Sequence, residues 1–204
     1  MTSIIASGGE GGSFKQVEAG TYTARCIKVL DLGTQQSNFN GEISWRRQVL
    51  LIWELPTELK ESTTEPLTIS KFYTLSLHEK SNLGIDLTSW RGRAFTEKEK
   101  QGFDIIKLLG VPCMLNVIIG SNGKSKVGAV MPLPKGSEIA EQITPSISFS
   151  VDDYQNGKKE AFNQLSEGIR NIILRAKEFE GLEDGDNGSE SASDGKEELD
   201  DIPF

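Results

Sequence analysis

TEKEKQGFDIIKLLGVPCMLNVIIGSNGKSKVGAVMPL, residues 96–133, changes its periodicity twice, and those changes decide how the whole chain is read. Thr96 is followed three positions later by Glu99, with Glu97 also in the first turn, so a capping box precedes Phe103, Ile106 and Leu109 at helical spacing. Gly110 and Pro112 stop that pattern, and the spacing predicts a helix over 97–109. Cys113 to Ile119 and Lys126 to Leu133 then read as strands, joined through Asn122-Gly123, a pair suited to a tight hairpin turn.

Upstream, Tyr22, Ala24 and Cys26 alternate with Thr23 and Arg25, which predicts a first strand over 22–32 ended by Asp31-Leu32-Gly33. A polar loop is expected from Gln35 to Gly41 with Phe39 exposed in it. Ile43 to Leu55 is long enough for a strongly bent second strand that Pro56 stops, and Leu67 to Leu77 reads as a third. Three strands, a helix and a hairpin is the element order of an OB-fold barrel, although other small α+β folds share it. The expected fold class is therefore mainly β with α+β elements: a five-stranded OB-fold barrel with a helix between strands 3 and 4, a C-terminal amphipathic helix and a disordered acidic tail.

Beyond Pro145, residues 146–151 are strand-like and suited to closing or flanking the sheet. Phe162, Leu165, Ile169, Ile172, Ala176 and Phe179 then keep helical spacing over 158–179. A helix packed on its own barrel is favoured over a dimerisation helix, and homo-oligomerisation stays open. The domain organisation expected is a flexible leader over 1–19, the barrel over 20–150, the packed helix over 151–179 and the tail over 180–204.

The chain of 204 residues is 36% hydrophobic, enough for one ordinary core. Its longest apolar run, Val49 to Trp53, is far too short to cross a bilayer, so no membrane partner and a cytoplasmic location are expected. Two cysteines, Cys26 and Cys113, and one histidine, His78, supply neither a zinc site nor a catalytic triad. The expected protein is not an enzyme and carries no metal or cofactor. Gly120 to Ser125 invites comparison with a phosphate-binding loop, but Ile118 stands where the first glycine is required, and no long helix follows.

Charge is divided unevenly. From Glu178 to Phe204 there are 11 acidic residues and one lysine, whereas residues 1–177 carry 21 basic and 19 acidic side chains. The net charge of −8 therefore belongs to the tail, and the body is mildly basic. The chain ends in Asp200, Asp201, Ile202, Pro203 and Phe204. Pro203 fixes its own φ and biases Ile202 toward extended geometry, so Phe204 and its carboxylate form a stiffened hook behind an acidic cord. Such an end suits capture by a pocket with an apolar hole and a basic rim, the plainer reading being a frayed solubilising tail.

Two resemblances follow. The Asp-Asp-Ile-Pro-Phe end resembles the acidic tip of bacterial single-stranded-DNA-binding proteins, which recruits replication, recombination and repair enzymes. The segments GTYTARCIKVLDLGTQ, VLLIWEL, LTSWRGRAFTEKEKQGFDIIKLLGVPCMLNVI and VGAVMPLPKG resemble a family of tailed-phage proteins, over about Gly20 to Gly136. That family implies an OB-fold single-stranded-DNA binder acting in phage replication and recombination in the bacterial host cytoplasm, and the resemblance of the end to the bacterial tip implies a partner-binding segment. The alternative is a tip-mimic adaptor that fills host tip-binding pockets without binding DNA.

Sequence-tolerant binding of a single strand needs cations along the phosphates and flat side chains under the bases. Trp45 and Arg46 on the second strand, Lys71 and Tyr73 on the third, and Lys124 and Lys126 on the hairpin are the nominated contacts. Alternation lets only one of Arg46 and Arg47 face a groove, and sets Phe72 against Tyr73. Arg46 and Tyr73 are preferred, because Val49, Leu51 and Trp53 continue the parity of Arg47 into the interior. Trp90, Arg91 and Arg93, within Trp90 to Phe95, add paired cations between aromatics, with a nucleic-acid role and a structural one evenly matched.

Overall fold

The structure, a computed structural model, describes residues 16–39, 41–61 and 63–180. Strand β1 spans Gly20–Phe39, β2 Glu42–Leu59, β3 Pro66–Thr74, β4 Pro112–Ile119, β5 Ser125–Met131 and β6 Ile147–Phe149. They form one six-stranded open sheet, antiparallel along the path β3-β2-β1-β4-β5, with β6 parallel to β1 off that path. β1 reaches well beyond the expected Leu32, and the polar residues from Gln35 onward are strand, not loop. They pair across the ladder with Glu42 to Arg46 of β2, and this reciprocal bonding outweighs their loop-like composition. The side-chain exposure of Phe39 lies outside the described residues.

β2 also outruns its expected end. Pro56 is accommodated because the last rung with β1 is Arg25 to Glu54, and the β3 register shifts between Leu55 and Leu59, so no ladder bond needs the missing N–H.

β1 is buried on both sides. One core gathers Ala24, Cys26 and Val29 with Val49, Leu51, Trp53, Tyr73, Leu87, Trp90 and Leu115. The other gathers Ile27, Leu30 and Leu32 with Leu50, Ile52, Phe149, Phe162, Ile169 and Ile173. Register shifts at Cys26/Lys28 and Asp31/Gly33 bend the strand between its partners. Its first rungs, Gly20 to Arg25, take β4, while β6 pairs with Lys28 to Leu30.

The helical segments depart most from expectation. Helix α1, Asn82–Arg91, is an addition: Ser81 caps it by accepting from the Gly84 amide at 3.1 Å, Gly92 at φ 66° ends it, and Leu83, Leu87 and Trp90 face the first core. It rests against β3 and β5, the end strands of the path, which approach each other without a hydrogen-bonded ladder. The single helix expected over 97–109 is instead α2, Glu97–Lys100, and a 3₁₀ turn, Ile105–Leu108. The Thr96–Glu99 capping box is present, but Gly102 is a poor helix former and Asp104 opens a new cap by accepting from the Ile106 amide at 3.0 Å.

Residues 158–179 are likewise divided. α3, Val151–Gln155, precedes α4, Glu160–Asn163, and α5, Glu167–Leu174, with a 3₁₀ turn at Lys177–Phe179. All six stripe residues, Phe162 to Phe179, are nevertheless buried in the second core.

A strap of irregular chain between β5 and β6 is held by two cross-strand neighbours of opposite sign. Arg25 donates to the carbonyls of Gly110 at 2.5 Å and Ala140 at 2.7 Å. Glu54, fully buried on the opposing rung, accepts from the amides of Ile143 at 2.9 Å and Thr144 at 2.8 Å. Each neighbour thus bonds strap backbone, and a carboxylate receiving two amides is stronger than a neutral pair.

Glu54→Gln is expected to lower stability by about 2 to 3 kcal/mol, since one strap amide then faces a donor in a buried site. Urea unfolding reads this as a reduced midpoint at unchanged slope; a wild-type midpoint would mean the strap is held elsewhere.

Candidate nucleic-acid interface

β3 ends at Thr74 opposite Gln48, and beyond it β1 and β2 continue as a two-stranded arm, Gly33 to Phe39 against Glu42 to Gln48. The arm's root is built by side chains. Asp31 accepts from Arg47 at 3.1 and 2.5 Å, from the Gly33 amide at 3.1 Å and from the Val151 amide at 3.3 Å, so one carboxylate ties arm, bulge and α3 together. These bonds to Asp31 raise the Arg47 pKa above its ordinary value.

The C-terminal segment seals the other side of the root. Gly33 has φ +72°, and a Cβ there would stand 2.6 Å from Ala176 Cβ, so only glycine fits both the backbone and the neighbour. Thr34 donates through its amide and its hydroxyl, both at 2.7 Å, to the two oxygens of Glu178. Gln35 Nε2 donates to the Ile172 carbonyl at 3.0 Å. Burial works against the Glu178 charge, but the Thr34 donors and the field of Arg47 outweigh it and hold the carboxyl below its ordinary pKa.

On this arm Trp45 keeps 40% of its surface exposed, and Lys177 Nζ lies 5.7 Å from its ring centroid. Arg46, next along β2 and of opposite parity, is exposed. An exposed indole beside a cation is the chemistry that base stacking with phosphate contact requires.

The other nominated residues lie elsewhere. Tyr73 is only 3% exposed and its hydroxyl donates to Asp86 at 2.7 Å, so it is a core residue and not a stacking surface. The register explains the correction: Tyr73 opposes Val49 and Lys71 opposes Leu51, which puts both on the first-core side of the sheet. Lys71 is committed to Asp86 at 2.8 Å. Burial and then the Asp86 charge push the Tyr73 phenol far above its ordinary pKa.

Trp90 is corrected in the same way. Its ring packs 6.2 Å from that of Trp53, and its Nε1 donates to the Pro112 carbonyl at 2.9 Å. Arg91 lies over the rings of Phe95, at 4.1 Å, and Phe103, at 5.2 Å, and pairs with Glu99. Arg93 pairs with the same carboxylate at 2.8 Å, its side chain 57% exposed. Arg93, then the Thr96 amide, hold Glu99 well below the usual carboxylate range. The 90–99 cluster is thus a structural knot whose shared acid is Glu99.

Lys124 and Lys126 belong to the β4–β5 hairpin, which extends from the Gly20 end of β1, whereas Trp45 and Arg46 lie toward its Phe39 end. These two sets of nominated contacts therefore lie toward opposite ends of β1. Between the arm and the Gly20 end, the second side of β1 and β2 is covered by β6, the strap and α3–α5. Asp200, Asp201, Ile202, Pro203 and Phe204 lie outside the described residues. Among the described residues no cluster of three His, Cys, Asp or Glu is placed to hold a metal, and no helix is long and apolar enough to cross a membrane.

Sequence reasoning missed Lys177 and the Asp31–Arg47 tie. Nothing local marks them, since the tie depends on the register shift at Asp31/Gly33, and Lys177 meets Trp45 across more than a hundred positions of chain.

Because Trp53 and Trp90 are buried, acrylamide is expected to quench only the Trp45 component of the emission, and Trp45→Phe should remove it. Persistent quenching in that variant would place another indole at the surface. A lowered carboxyl pKa stabilises the fold above the unfolded value of about 4.3 and ceases to do so as pH falls through the folded value. Glu178→Gln should therefore lose stability at neutral pH and show a smaller further loss between pH 5 and 3 than the parent, followed by circular dichroism melts; parallel profiles would remove Glu178 from the acid response.

Comparison of the chain with protein families, with curated proteins and with solved structures returns no match.

Proposed function

We propose that this chain is a single-stranded-DNA-binding protein of a tailed phage, coating strands during replication and recombination in the host cytoplasm and recruiting partner enzymes through its acidic tip. The observation that carries this reading is the exposed Trp45 on a projecting arm with Lys177 beside its ring and Arg46 exposed on the other face, in a chain whose other two tryptophans are buried. Base-on-indole stacking, about 1 to 3 kcal/mol per base, accepts any sequence because every base has a π-face. The reading of the sheet as an OB-type barrel is supported by the meander β1-β2-β3, the helix after it, and α1 lying across the end strands β3 and β5. The tip, Asp200 to Phe204, supplies the protein contact through its acidic residues and terminal ring.

A second reading has its own support. Tyr73 and Trp90 are buried, Lys71, Arg91 and Arg93 are held in ion pairs, and one sheet face is covered, which favours an adaptor that offers the tip and does not bind DNA.

Titration of the protein with oligo-dT separates the two. Binding that quenches Trp45 emission, with log K falling by about 0.7 per phosphate neutralised as log salt rises, is expected for the first reading. Unchanged emission and unchanged oligonucleotide mobility in dilute buffer would leave the adaptor. A truncation that removes 181–204 but keeps the Glu178 clasp is expected to bind oligo-dT more tightly at low salt and to abolish partner capture; equal affinity would remove competition by the tail.

A further inference from the structure

Several cations in this fold are committed to structural partners. Lys71, Arg91 and Arg93 face carboxylates, Arg25 faces carbonyls, and Arg47 faces Asp31. Lys177 differs, because the partner given to it by the fold is an aromatic ring, 5.7 Å away, on another element and itself exposed. A lysine over a tryptophan satisfies the ammonium only weakly, and both groups keep polar or stacking capacity for a ligand.

The position of Lys177 is set firmly. Ala176, the residue before it, abuts Gly33 so closely that no Cβ could be added there, and Glu178, the residue after it, receives two hydrogen bonds from Thr34. Farther back, the Ile172 carbonyl accepts from Gln35, and farther on, the Glu178 carbonyl accepts from Gln155 at 3.1 Å. The chain on both sides of Lys177 is thus pinned to the arm's root, and only its flexible side chain is left to move. The acidic groups nearby are already engaged: Asp31 by Arg47, Glu178 by Thr34, and Asp152 lies 3.6 Å from Arg47. A phosphate arriving at Trp45 would meet Lys177, while Asp31 and Asp152 both face Arg47.

We propose that the C-terminal segment is half of the nucleotide-binding site: Trp45 seats a base, and Lys177, leaving the indole face as the base arrives, takes the adjoining phosphate. This rests on the proposed single-strand binding and deepens it, since it makes a site from the arm and from the 3₁₀ turn that ends the described fold. The ligand class is one nucleotide unit of a single strand, its base on the Trp45 ring and its phosphodiester on Lys177. The segment over 172–179 then positions a phosphate-binding cation as well as covering the sheet.

The test is oligo-dT titration of the full chain against Lys177→Ala and Lys177→Glu, followed by fluorescence anisotropy of a labelled strand across a salt series. Lys177→Ala is expected to bind roughly threefold more weakly in dilute buffer and to show a salt slope smaller by about 0.7, as one phosphate fewer is neutralised. Lys177→Glu should bind more weakly still, with melting temperatures unchanged in both. If the parent binds and Lys177→Ala matches it in affinity and slope, the role given to Lys177 is overturned while the binding function stands. If the parent does not bind, both fall together.

Discussion

Every part of this molecule depends on β1 having no solvent face over its middle third. Cys26 and Val29 enter one core, and Ile27, Leu30 and Leu32 enter the other. Each buried aliphatic side chain of this size contributes about 1.5 to 3 kcal/mol, so a strand committed on both sides anchors both layers at once. It also carries β2 on one edge and, in succession, β4 and β6 on the other. The register shifts at Cys26/Lys28 and Asp31/Gly33 reconcile these demands by turning the strand as its neighbours change.

A strand so used has consequences for charge. Polar groups that fall inside must be matched, and the fold does so with backbone as often as with opposite side chains: Glu54 and Arg25 hold the strap by its amides and carbonyls, and Asp31 gathers an arginine and two amides. Asp86 takes Lys71 and Tyr73 in the same spirit. The mildly basic body is therefore not a basic surface, because many of its cations neutralise structural acids. On the arm the β1–β2 ribbon leaves the cores, and Trp45 faces water there.

Much of the fold is legible in local pattern. The strand segments, the Thr96–Glu99 cap and the buried stripe from Phe162 to Phe179 all follow from spacing, because each is decided within a few residues. The failures share one cause. Gln35 to Asn38 read as loop because they are polar, yet their partners across the ladder make them strand. α1 carries Ser81, Leu83, Leu87, Trp90 and Gly92 as signals, but Gly84 and two hydroxyl residues dilute its period. At the candidate site, Trp45 and Arg46 are readable as an aromatic and a cation on a strand, whereas the fate of Tyr73 turns on which residue of β2 it opposes.

The sequence by itself determined that the protein is β-rich and that its negative charge is concentrated from Glu178 onward, since composition and short-range spacing need no partner to be meaningful. Only the tertiary structure decided which rings are surface and which are core, that Arg47 belongs to Asp31, and that Lys177 reaches Trp45. Those outcomes depend on strand register and on long-range contacts, and a shift of a single residue along a strand would have exchanged the two faces.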